Sequence, residues 1–236
     1  VIALWATPRT ASTAFERMMI ERGDHTVVNE PWSRCYYYGP ERRSPRFDET
    51  LERSTHVEVL DHLDRLTPTG PVFVKDMPYH VLPHLDADVV SRFTNTFIIR
   101  DPVAAIPSLA KMWSDFTWEE AGYEAQERAF DLAAELAGET PVVIDSDELR
   151  RDPDEFVRAW CEAVGIEHRP DAMTWKPGMP AEWDLWHDWY ARAATTTGFV
   201  PPDPDGSRPQ LCDDLAETVE RARTTYERLF AARLRP

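Results

Sequence analysis

Lysine is scarce in this chain of 236 residues: Lys75, Lys111 and Lys176 stand against twenty-three arginines. Glycine is sparse near the start, the first being Gly23, and the three cysteines include no C-x-x-C pair. No apolar run approaches the ~20 residues that cross a bilayer. These shortages narrow the choices. The triphosphate-binding loop G-x-x-x-x-G-K-[ST] requires glycines and a lysine, and the first loop of this chain has neither. Cys35, Cys161 and Cys212 are odd in number and scattered, so they suit reduced thiols in a cytoplasmic protein, not a disulfide framework or a zinc site. Pro83 between His80 and His84 excludes a zinc-binding helix built on that pair. Positive charge is also short. A net charge of −16 argues against a nucleic-acid partner or an anionic membrane surface, so an anionic ligand needs a local basic cluster. The apolar start, Val1 to Trp5, is too short for a signal peptide. With no Met at its head, the chain is expected to lack a few native residues there.

What is present suits one α/β domain. Hydrophobic residues make up 42%, with nine Trp and ten Phe to fill a core. Short apolar runs at Val1–Trp5, Thr26–Asn29, Val72–Pro78, Phe93–Ile99 and Pro141–Asp145 alternate with helical patterns, as buried parallel strands do. Helices are expected from Ser12, over Leu51–Leu66, after Pro102, over Trp118–Leu136, between Pro153 and Gly165, and over Leu211–Leu234.

The first strand, loop and helix form the organising unit. Pro8 stops the strand, and the small polar stretch to Ser12 leads into a helix whose unpaired N–H groups and dipole suit a phosphate-like anion. Arg9 and the hydroxyls of Thr10, Ser12 and Thr13 can join them. A capped helix after a buried strand reads the same way without a ligand. Near the fourth strand, Arg100 at the tip and Ser108 about two turns into the next helix can face one anion.

Pro8-Arg9-Thr10-Ala11-Ser12-Thr13 resembles the 5′-phosphosulfate loop of sulfotransferases, with Ala11 in place of the usual glycine and so expected in an ordinary backbone conformation. Phe97 to Ser108, with Arg100-Asp101-Pro102, resembles their 3′-phosphate motif, and Lys75-Asp76-Met77-Pro78 resembles their Lys-x-x-Pro strand end. Asp147-Glu148-Leu149 and Val164-Gly165-Ile166 match a later segment, so the likeness reaches from Val1 to about Ile166. It implies a P-loop-type α/β/α fold of about five parallel strands: one domain over 1–236, with a core over 1–169 and a helical C-terminal extension over 170–236. It also implies 3′-phosphoadenosine 5′-phosphosulfate as donor, held by Arg9, Thr10, Ala11, Ser12, Thr13, Ala14, Arg100 and Ser108, with no metal. Glu30, after the second strand, matches a catalytic base; Arg9 and Lys75 would stabilise the transferring group.

The acceptor is expected to be a small molecule presenting a hydroxyl or amine, met by Trp32, Tyr37, His80 and Trp186. His80 and Asp76 compete with Glu30 as the base. The arginine-rich stretch Gly39–Arg46 reads as a mobile lid or a plain exposed loop. Trp183, Trp186, Trp189 and Tyr190 fit one helical side, as a packing stripe or an acceptor wall. Thr195–Phe199 is placed to approach the cofactor, and Gly198–Pro209 to cover it. A phosphotransferase and a non-catalytic nucleotide-binding protein on the same fold are the alternative functions.

Overall fold

The structure, a computed structural model, describes residues 1–202 and 213–236. Its centre is a five-stranded, all-parallel sheet in the order β2-β3-β1-β4-β5. The strands are β1 (Ile2–Ala6), β2 (Thr26–Asn29), β3 (Val72–Asp76), β4 (Thr94–Ile99) and β5 (Val142–Asp145). β1 is buried along its whole length because both faces are covered. Successive side chains alternate across a sheet, so Ala3 and Trp5 enter one core with Val74 and Phe97, while Ile2, Leu4 and Ala6 enter the other with Phe73 and Ile98. Beyond the carboxyl ends of such strands lies the crevice where parallel α/β proteins bind ligands.

The helices are α1 (Ser12–Arg22), α2 (Ser33–Tyr38), α3 (His56–Leu66), α4 (Ala87–Val90), α5 (Pro102–Ala110), α6 (Trp118–Ala121), α7 (Tyr123–Ala137), α8 (Ser146–Arg151), α9 (Pro153–Val164), α10 (His187–Tyr190) and α11 (Asp213–Ala231). α1 packs Phe15, Met18 and Met19 under the sheet. α5 starts where Asp101 accepts from the Val103 N–H and proline stands in the first turn. Among the described residues, no helix is long and apolar enough to cross a membrane.

Several expected boundaries move. α3 starts at His56 rather than Leu51, because Thr55 and Glu58 close a capping box there. The helix expected over 118–136 is broken by Gly122 at φ 83°, where a Cβ would lie 3.2 Å from the Tyr79 ring. The aromatic stretch 32–38, which carried no helix expectation, forms α2. Trp183, Trp186, Trp189 and Tyr190 do not share a helix: a 3-10 turn at Ala181–Trp183 and the single turn of α10 wrap them over the core. α11 packs Val219 and Ala222 against Val103, Ile106 and Leu109 of α5. Cys212, the start of the last expected helix at Leu211 and most of the cover expected up to Pro209 lie outside the described residues.

Candidate active site

The loop between β1 and α1 is built on strain. Arg9 has φ 68° and Ala11 φ 60°, both left-handed. Ala11 therefore does not keep the ordinary conformation its side chain favours; it adopts the one its glycine counterpart would take freely, at about 1–2 kcal/mol per such residue. No side chain caps α1, so its first N–H groups are turned toward the space in front of the helix. The Thr10 hydroxyl donates back to the Thr7 carbonyl at 2.9 Å and so braces the loop.

This loop is tied to the fourth strand end. Arg9 Nε donates to Ser108 Oγ at 3.0 Å, and Arg100 Nη1 donates to the Arg9 carbonyl at 3.0 Å. Arg100 Nε is buried without a hydrogen bond, with Asp147 as an ion-pair partner at 3.5 Å. Burial, then Arg100, then Arg192 push the Arg9 guanidinium below its ordinary pKa. A chain of net charge −16 thus concentrates mutually repelling cations at one point, which is where an anion is best held.

A second cluster sits at the ends of β2 and β3. Glu30, at φ 42°, donates its N–H to the Lys75 carbonyl at 2.7 Å and so extends the pairing of β2 with β3. Lys75 is fully buried and ion-pairs with Glu30 Oε1 and, at 3.8 Å, with Glu16 Oε2. The Tyr190 hydroxyl lies 3.0 Å from Glu30 Oε1 and 3.1 Å from Asn29 Oδ1. Burial raises the Glu30 carboxyl, but Lys75, then His80, outweigh it and leave the group below its ordinary pKa. Glu16 is fully buried, and burial lifts it to about 7 in spite of Lys75 and the Trp183 indole N–H, which donates to Oε2 at 2.9 Å. For Lys75, burial is outweighed by Glu30 and Glu16, and its pKa is raised.

The third group is a histidine–carboxylate pair. Asp76 accepts from Trp32 N–H at 2.9 Å and Met77 N–H at 2.7 Å, and His80 Nδ1 lies 2.7 Å from Oδ1. A carboxylate that accepts from all sides keeps a proton on the ring nitrogen that faces it, Nδ1. His80 Nε2 is buried and has no partner.

These groups border a cavity of about 540 Å³. Residues 8 to 14, Arg100 and Ser108 form one part of its wall; Glu30, Tyr37, His80 and Trp186 form another. Two expected site residues lie elsewhere. Lys75 is not part of the wall, because its ammonium group is spent on Glu30 and Glu16 beneath the surface. Trp32 is a core residue, packed on Trp5 and Phe93 and donating from its indole to His56 Nδ1 at 2.9 Å. Thr196, Gly198 and Phe199 do reach the cavity, in a segment whose end is fastened by Arg150 to the carbonyls of Val200 and Pro201 at 2.7 and 3.0 Å. The arginines of stretch 39–46 are engaged by the protein: Arg43 with Glu119, Arg46 with Glu120 and Asp115, and Arg42 with the carbonyls of Asp48 and Glu49. Trp189 and Tyr190, read from the aromatic run of the tail as a packing stripe or an acceptor wall, do line the cavity. Sequence reasoning missed Trp113, Arg192 and Glu120 in the wall and Glu16 beneath it, and no local pattern signalled them. Among the described residues, no group of three or more His, Cys, Asp or Glu could hold a metal ion.

Comparison with known proteins bears on the family and the fold. Residues 1–230 match the family model described as a sulfotransferase domain. The chain is 29% identical over 218 residues to branched-chain-amino-acid aminotransferase-like protein 1 of Arabidopsis thaliana, an overlap covering 86% of this chain and 37% of that protein. The chain thus spans little more than a third of the length of that relative. A sulfotransferase domain from the curacin biosynthetic pathway superimposes with a TM-score of 0.56 at 11% identity, covering 96% of this chain and 97% of that one. A sulfotransferase from Alicyclobacillus acidocaldarius superimposes with a TM-score of 0.53 at 16% identity, over 97% and 94%. At such identities the two structures bear on the fold.

Proposed function

The chain belongs to the sulfotransferase family, and from that premise we propose that it catalyses sulfuryl transfer, with 3′-phosphoadenosine 5′-phosphosulfate as donor and the hydroxyl or amine of a small molecule as acceptor. The observation that supports this most is the meeting, across 99 positions of sequence, of the strained loop with the fourth strand end: Arg9 on Ser108 and Arg100 on the Arg9 carbonyl. The residues fit such a ligand, since Arg100 Nε is buried without a hydrogen bond and α1 is uncapped. The donor, when bound, supplies an already activated sulfuryl group. Arg100 and Ser108 would hold its 3′-phosphate and the loop from Arg9 to Ala14 its 5′ end. Arg9 adds positive charge where the bridging oxygen becomes anionic. The free thiols of Cys35 and Cys161 suit a reducing compartment, and we place the reaction in the cytoplasm.

Glu30 is proposed as the group that takes the acceptor's proton. It borders the cavity, and both of its recorded side-chain bonds fall on Oε1. Its left-handed backbone is the kind of strain that collects at active sites. Lys75, behind it, fixes the carboxylate and sets its charge. One observation favours a second reading, in which His80 is the base: Asp76 orients its ring and its Nε2 has no partner.

Titration with adenosine 3′,5′-bisphosphate and adenosine 5′-phosphate tests the donor. Arg100→Ala should weaken the bisphosphate alone, by about tenfold to a hundredfold, the worth of a charge-assisted bond of about 1.5–3 kcal/mol. Equal loss for both nucleotides would sink the assignment. Release of the bisphosphate with an acceptor panel separates an enzyme from a mere binder. In that assay Glu30→Gln should cost about 10²–10⁴ in turnover with donor affinity intact. If it costs nothing while His80→Ala abolishes turnover, the base is His80.

A further inference from the structure

Away from the phosphate loop the cavity changes character. Arg9, Arg100 and Arg192 act on one another at the loop. Around Glu30 and His80 the wall is made of rings instead: Tyr37, Tyr79, Trp113, Trp186, Trp189 and Tyr190. They come from distant parts of the chain and lock one another edge to face. Tyr37 meets Trp113 at 5.6 Å and Trp186 at 5.3 Å between centroids, and Trp113 meets Trp189 at 4.7 Å with the planes 86° apart. Rings immobilised by other rings lose little freedom on binding. Together they make a rigid apolar wall against which a flat guest can stack or pack edge-on.

The charges here are balanced within the protein. Glu30 is paired with Lys75, and buried Glu120 accepts from Arg46 at 3.1 and 2.9 Å. The Arg46 guanidinium stands 4.0 Å over the Trp113 ring, and that of Arg9 5.9 Å from Trp189. Two of the rings therefore already face cations, which disfavours a cationic guest caged among them. An anionic guest would meet the carboxylates of Glu30 and Glu120. A sugar can lay its C–H face on a ring, but its hydroxyls would find those of Tyr37 and Tyr79 bonded to each other and that of Tyr190 bonded to Glu30.

Resting on the sulfuryl-transfer reading above, we infer that the acceptor is a neutral aromatic alcohol, a phenol or naphthol, clasped by these rings with its hydroxyl at Glu30 and His80. The hydroxyl proton passes to the base and the oxygen forms the new O–S bond. The donor's S–O bond to the 5′-phosphate breaks, and its electron pair leaves with adenosine 3′,5′-bisphosphate; the other product is an aryl sulfate.

The test measures equilibrium binding of four probes to the protein saturated with adenosine 3′,5′-bisphosphate: 2-naphthol, the cation tyramine, the anion 4-hydroxybenzoate and glucose. 2-Naphthol should bind at least about tenfold more tightly than the other three. Trp113→Ala and Trp186→Leu should each weaken it severalfold to about tenfold while leaving affinity for the bisphosphate unchanged, which also shows that the variants fold. A preference for glucose, or full 2-naphthol affinity in both variants, overturns the aromatic acceptor; a preference for tyramine or 4-hydroxybenzoate, themselves phenols, overturns its neutrality; neither result touches the donor assignment. Failure of the unsubstituted protein to bind the bisphosphate overturns the donor assignment, and the acceptor class with it.

Discussion

Glu16 should weaken the fold as pH rises, and replacing it should remove that weakness. Its carboxyl is fully buried on α1, one oxygen accepts from the Trp183 indole and the other is buried with no partner. Burial raises its pKa from 4.5 to about 7. A carboxyl that is raised in the folded state binds its proton more tightly there than in the unfolded chain. Its stabilising contribution is therefore complete below pH 4.5 and is lost as pH rises through 7. The gap between 4.5 and about 7, at about 1.4 kcal/mol for each pH unit, comes to about 3 kcal/mol. Glu16→Gln keeps the oxygen that receives Trp183, and Lys75 keeps Glu30 as its counter-charge. The variant should therefore exceed the parent by about 3 kcal/mol at pH 8.5 and by less than about 1 kcal/mol at pH 5. For a chain of this length each kcal/mol moves Tm by about 2–4 °C, so the expected gain at pH 8.5 is about 6–12 °C. Thermal unfolding of both proteins across this range is the assay. A difference in Tm that does not change with pH, or a variant less stable at pH 8.5, would refute the reasoning.

Ala11→Gly should raise stability by about 0.5–1 kcal/mol, since glycine takes φ 60° without the Cβ penalty but is looser when unfolded; a lower Tm would show that the loop is not strained there. Lys75→Met should cost about 3–5 kcal/mol in chemical denaturation by stranding the buried Glu30 carboxylate, and a near-neutral result would mean that water reaches it. Arg9→Ala should depress turnover more than donor binding, because its charge matters most as the bridging oxygen becomes anionic. If only the Michaelis constant for the donor rises, Arg9 is an anchor with no catalytic share.

Much of the fold was legible because its signals are local. Each strand is a short apolar run ended by proline or charge, and the phosphate motifs combine residue type, spacing and strand–helix context within a dozen positions. What escaped detection depends on contacts between distant segments. Ala11 reads as ordinary backbone because alanine favours it, whereas the loop around it is held from elsewhere, by Arg100 on the neighbouring Arg9 carbonyl. Lys75 reads as a site lysine from its strand end, yet Glu30 and, on distant α1, Glu16 turn it inward. Trp183 to Tyr190 has the spacing of one helix but is split between a 3-10 turn and the single turn of α10, since packing of the rings outweighed the propensity of a short segment. Tyr190 meets Glu30 from 160 positions away, and no period in the sequence encodes that meeting.

That last contact bears on where this protein can be cut. Composition suggests a seam near residue 170, and a truncation there would leave every strand of the sheet in place. It would also carry off Trp186, Trp189 and Tyr190, opening one side of the pocket, and remove Trp183, whose ring shields Glu16 and whose indole is that carboxylate's recorded hydrogen-bond donor. The shortened chain would hold the phosphate loop over a flooded floor, with Glu16, Lys75 and Glu30 hydrated and the carboxylates returned toward ordinary basicity. For anyone building chimaeras, the portable unit is therefore the sheet together with its aromatic tail and α11, which covers Val103, Ile106 and Leu109 of α5, and a crossover should be placed after Ala231, not before Trp175.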